Sequence, residues 1–135
     1  MADIVPSGVT GNGKKKIYSA GAVISEGDWV YVDTSDNNKV KPASNAGATT
    51  ANVRGVALND AADDSDVIVL LDGTYDPGVV LTEGVIFVLS TGGAMAPVED
   101  HTGANGSGKF ATTLGRGNSD GVLRINIDVA TAALA

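Results

Sequence analysis

The chain has 135 residues, 43% of them hydrophobic, with 18 glycines and only one Trp, three Tyr and two Phe. That size fits one domain. A formal charge of −7 argues against a phosphate-backbone partner, and the lack of cysteine excludes disulfides and thiolate metal sites.

Residues 1–16 read as a flexible arm, punctuated by Pro6, Gly8, Gly11 and Gly13 without a sustained period. Met1 to Pro6 has neither the basic start nor the apolar run of a signal peptide. No stretch reaches the ~20 apolar residues of a bilayer span. The expectation is a soluble protein with no membrane partner. Strand signals start at Ile17-Tyr18 and Val23-Ile24, and the turn Ser25 to Asp28 leads into Trp29-Val-Tyr-Val32, apolar on both faces. Lys39 to Pro42 reads as a short edge strand ended by its proline. Val53 to Leu58 is the next strand, with Gly55 marking a bulge. Val67 to Leu71 is the most apolar run and reads as a central strand. After the loop at Glu99 to Gly108, Phe110 to Leu114 resumes a strand. Val122 to Asp128 then alternates apolar and polar residues as a half-exposed strand does. No amphipathic helix appears, and the tail over 129–135 is too short to hold one.

Two segments nearly repeat each other. Without gaps, Gly21, Val23, Glu26 and Gly27 align with Gly78, Val80, Glu83 and Gly84. The expected fold is therefore an all-β domain over 17–128, a small β-barrel or β-tulip with pseudo-repeat halves near 21–72 and 78–128.

Catalytic and metal chemistry find little to stand on. Gly8 to Lys14 and Gly103 to Lys109 fit G-x-x-x-x-G-K, yet Lys15 and Phe110 replace the Ser or Thr that would hold magnesium. His101 is the only histidine. The carboxylates Asp60, Asp63, Asp64 and Asp66 lack calcium-loop spacing and read as a charged turn. Glu26 and Glu83 form a matched pair, but each lies in a Glu-Gly turn where the glycine supplies a positive φ. The chain is expected to be no enzyme, with no cofactor and no metal.

The order of these pieces resembles the head decoration, or capsid cement, proteins of tailed bacteriophages. The residues that carry it are Gly21 to Tyr31, Lys39 to Ala43, Arg54 to Ala61, Val67 to Leu70, Gly84 to Ser90 and Val122 to Ile125. The resemblance covers about residues 17–128. It implies a virion structural protein on the outer surface of the expanded head, present in the host cytoplasm during assembly. Its implied partner is the major capsid protein, and its implied oligomer is a homotrimer. It also implies an arm that adds a strand to the capsid protein. Residues 1–16 suit that role, with Ile4, Val5, Val9, Lys14, Lys15 and Lys16 as contacts. The turns at Glu26-Gly27 and Glu83-Gly84 are the second candidates. The rival expectation is a carbohydrate- or cell-surface-binding module of a virion, a head fibre or tail adhesin. It would need exposed rings among Tyr18, Trp29, Tyr31 and Tyr75.

Overall fold

The computed structural model describes residues 3–98 and 108–133. His101 and most of the expected loop from Glu99 to Gly108 lie outside them. The fold is all-β. The strands are β1 (Thr10–Asn12), β2 (Lys15–Ser19), β3 (Trp29–Asp33), β4 (Lys39–Pro42), β5 (Val53–Ala57) and β6 (Asp66–Leu70). They continue as β7 (Thr74–Asp76), β8 (Ile86–Leu89), β9 (Met95–Pro97), β10 (Thr113–Gly117) and β11 (Leu123–Asp128). All strand pairs are antiparallel.

One sheet runs β2-β6-β5-β3-β4 and the other β1-β7-β11-β10-β8-β9. Set β1 aside, and the two orders are the same. The register agrees residue by residue. Val30 faces Gly55 as Phe87 faces Gly115, and Val32 faces Val40 as Leu89 faces Met95. Val56 faces Leu70 as Arg116 faces Arg124. Gly55 and Gly115 do the same work in each half. A side-chain carbon there would lie 2.2 Å from the Leu70 carbonyl oxygen or 2.1 Å from that of Arg124, so only glycine lets the next strand approach. Each half of the chain thus makes one sheet, and the halves begin at β2 and β7, before the turns that reveal the repeat in sequence.

No closed barrel forms; the molecule is a sandwich of two curled sheets. The edge strands β4 and β9 are short and end at Pro42 and Pro97, which bring no N–H to extend a ladder. Only isolated bridges reach across, Ala20 to Val40 in one half and Ile4 to Met95 in the other.

The two cores follow from the curl. Ile24, Val30, Val40, Ala57 and Val69 pack with Ala20, Ala61 and Val67 inside the first sheet. Their counterparts Leu81, Phe87, Met95 and Leu123 belong to the larger cluster. That cluster also contains Trp29, Val56 and Leu70, which lie on the opposite face of the first sheet. The outward face of the first half therefore seals the interior of the second. The halves stack head to tail.

A hairpin of charges closes the free edge of the first sheet. Lys41 donates to Asp33 at 2.7 Å and to Asp36 at 3.3 Å, and Lys39 pairs with Asp64. The bond from Lys41, helped by the Ser35 hydroxyl and amide, holds the Asp33 carboxyl down at about 2. A depressed folded-state value gives stability that is present above the unfolded value, roughly pH 4. It is lost as the pH falls toward about 2. Asp33→Asn is expected to lower the urea midpoint at neutral pH, and the gap from the parent protein should close near the acid end of that window.

Candidate contact surfaces

The residues expected to form a free arm are part of the body. Ile4 donates its amide to Met95 at 2.8 Å and packs against the larger core. Ser7 donates to Pro77 at 2.8 Å, and β1 pairs with β7. Val9 is buried, while Val5 is 76% exposed. Lys15 and Lys16 open β2, which pairs with β6, and the Lys14 carbonyl accepts the Leu71 amide. The arm assignment over 1–16 is corrected accordingly for residues 4–16. Its cause is a gap in the second half. In the first half Ala20 reaches Val40 directly, but in the second half residues 4–7 fill the seam between Pro77 and Met95. The three lysines remain exposed, with the Lys16 ammonium 5.1 Å from the centre of the Tyr18 ring.

The two Glu-Gly turns match in backbone and differ in cover. Gly27 donates to Ala57 and Gly84 to Gly117, each at 2.8 Å, with φ of 87° and 81°. Pro6 of the N-terminal segment lies over Gly27, so that a side-chain carbon there would come within 2.5 Å of it. At Gly84 nothing lies within 4 Å. Glu83 and Gly84 are exposed; Gly27 is buried, and the amide of half-buried Glu26 donates to Asp60 at 2.8 Å.

Under Pro6 and Gly27 lies the polar end of the core. Trp29 and Tyr75 meet edge to face, with ring centres 5.7 Å apart. Neither the Trp29 Nε1 nor the Tyr75 hydroxyl has a hydrogen-bond partner among the described residues. Burial pushes the Tyr75 hydroxyl well above its ordinary value, and Glu26, Asp28 and Asp76 add to the rise. Burial likewise raises the Asp28 carboxyl, against the opposing pull of the Ser25 amide. Tyr75 has the surroundings of a core residue.

Two of the four carboxylates of the 60–66 turn are engaged within the fold. Asp60 accepts the Glu26 amide and Asp64 pairs with Lys39. Among the described residues no group of three or more His, Asp or Glu is placed to hold a metal ion.

Exposed apolar side chains occur in two places: Ile17, Val23 and Ile68 on the first half, and Val5, Val79, Val80 and Val98 near the seam. Val80 is 90% exposed, and Val79 and Val98 are exposed as well. A groove of about 410 Å³ runs beside them, lined by Ile4, Val80, Leu81, Val85, Phe87 and Pro97. Sequence reading passed over Val80 as a repeat position equivalent to Val23. The missed signal was the pair Val79-Val80, two consecutive valines before a turn, of which only one can face inward.

A second groove, of about 490 Å³, lies on the outward face of the second sheet, with Ile86, Arg116, Asn118, Arg124 and Asn126 along it. In the sequence Arg124 reads only as part of the wet face of the last strand, and Arg116 carries no signal of its own. No protein-family model matches the chain, and no curated protein does.

The unequal cover of the two turns has a thermodynamic consequence. Gly84→Ala should cost about 1 kcal/mol, the ordinary penalty for a side chain at positive φ. Gly27→Ala should cost that and roughly 1–3 kcal/mol more for displacing Pro6. Equilibrium urea unfolding of the two variants measures the difference; equal costs would mean that the N-terminal segment does not rest on Gly27.

Proposed function

We propose that this chain is a head decoration protein of a tailed phage, a non-enzymatic capsid-stabilising protein bound to the outer surface of the expanded head. The observation that carries the reading is Val80, 90% exposed on the rim of the groove at Ile4 and Phe87, with exposed Val5, Val79 and Val98 adjacent in sequence to groove residues. Apolar side chains held in water on an acidic body gain free energy when a partner covers them. The resemblance in motif order supplies the partner, the major capsid protein. A homotrimer of the chain belongs to the same proposal.

Many identical clamps on a lattice need only modest contacts each, because binding at repeated sites multiplies weak affinities. The net charge of −7 suits a protein that stays soluble beside packaged DNA. The seam replaces the free arm as the principal contact. An adhesin would present aromatic rings, but Trp29 and Tyr75 are buried and Tyr18 and Tyr31 are half-buried.

Co-sedimentation with expanded heads and with unexpanded procapsids tests the proposal. The protein should saturate expanded heads, and Val80→Glu should lower the affinity at least tenfold without shifting the unfolding midpoint. Failure of the unaltered protein to bind expanded heads would overturn the reading. Deleting residues 2–16 is a poor test, since it also removes β1 and the start of β2.

A further inference from the structure

Head-to-tail stacking leaves one face without its counterpart. In the first half, Trp29, Val56 and Leu70 form the outward face, and the second half covers them. The equivalent positions in the second half are Ile86, Arg116 and Arg124, and these line an open groove of about 490 Å³. A repeat joined head to tail always ends in one unoccupied face. Here two apolar positions of that face have become arginine.

The arginines are set directly opposite each other on β10 and β11. Side chains so placed lie about 5 Å apart at Cβ, and like charges there destabilise the pair. Gly115 tightens the arrangement by letting β11 approach beside it. No ion pair among the described residues relieves the repulsion; the recorded pairs all belong to Lys39 and Lys41. Asn118 adds donors to the groove. The Asn118 Oδ1 already accepts the amides of Asp120 and Val122, which leaves its Nδ2 protons as donors.

We infer that this groove is a docking site for a protein segment that presents carboxylates, gripped by Arg116 and Arg124 together. Two guanidinium forks side by side match a pair of carboxylates, each of which accepts two parallel hydrogen bonds. The face is the repeat equivalent of one that the other half covers within the chain. Charge complementarity selects an acidic one. A nucleic acid also carries oxyanions, but a phosphate chain is held by a run of cations, and Arg116 and Arg124 are the two that line this groove. The site stands on the groove alone and does not depend on the capsid reading.

The test uses the full chain and a hexaglutamate peptide, followed through the arginine Nε–Hε and backbone amide signals in NMR at low salt. Saturable shifts are expected at Arg116, Arg124, Gly115 and Gly117, with Arg54 unmoved as the internal control. R116Q/R124Q should weaken the peptide at least tenfold and leave the fold intact, with a higher unfolding temperature because the repulsion is gone. R116K/R124K, which keeps the charge and loses the forks, should fall between. Absence of saturable shifts would overturn the inference and leave the arginines as a wet cap on a free face. So would equal shifts at Arg54. Inorganic phosphate displacing the peptide at lower concentration and matched ionic strength would also overturn it, by assigning the groove to phosphate.

Discussion

Trp29 is the fixed point on which the two halves depend. Its amide donates to the Gly93 carbonyl at 2.8 Å, its carbonyl accepts the Ala43 amide at 2.7 Å, and Gly93 donates back to Ala43 at 2.7 Å. This closed ring of backbone bonds joins β3 of the first sheet to the hairpin between β8 and β9 of the second. The indole, fully buried, then meets Tyr75 edge to face. Aromatic pairs of this geometry contribute about 0.5–1.5 kcal/mol beyond the area they bury. Gly93 has to be small there, because a side-chain carbon would sit 3.0 Å from Asp28.

Everything asymmetric in the molecule follows from that joint. One half presents its outward face to the interior of the other, so one core is closed by its own segment and the other by a neighbour. The second half then lacks a piece that the first possesses, and residues 4–7 fill the seam. The same stacking leaves the arginine face open and strands the valines at the seam in water. Two surfaces with different chemistry, one apolar and one cationic, lie on a body that is acidic as a whole.

Much of this architecture was legible in the residues. The doubly apolar run at Trp29 to Val32 told that β3 is covered on both sides, since Trp29 and Val30 serve different cores. The alternation of Leu123, Ile125 and Ile127 showed a strand with one wet face. The repeat of Gly21 to Asp33 in Gly78 to Ser90 gave the unit of the fold, and extending it upstream would have matched Tyr18 with Tyr75. Short strands were harder. β1 and β7 have three residues each, too few to show a period; β1 exists through its pairing with β7, and β7 through its pairing with β1 and β11. Phe110 belongs to the connection that precedes β10, where its amide donates to the Asn45 carbonyl. The arginine pair was hidden for another reason. Arg116 and Arg124 face each other only because the turn at Asn118 to Gly121 folds β11 back on β10, so their opposition is a property of register and not of local sequence.

Amide hydrogen exchange under native conditions, followed at Trp29, Ala43 and Gly93, tests the account most directly. If the Trp29 joint holds the halves as one cooperative body, these three amides should exchange only through global unfolding, at the same free energy as Val69 in the first core. Exchange at Gly93 that is orders of magnitude faster than at Val69 would contradict it, because the sheets would then be parting without unfolding.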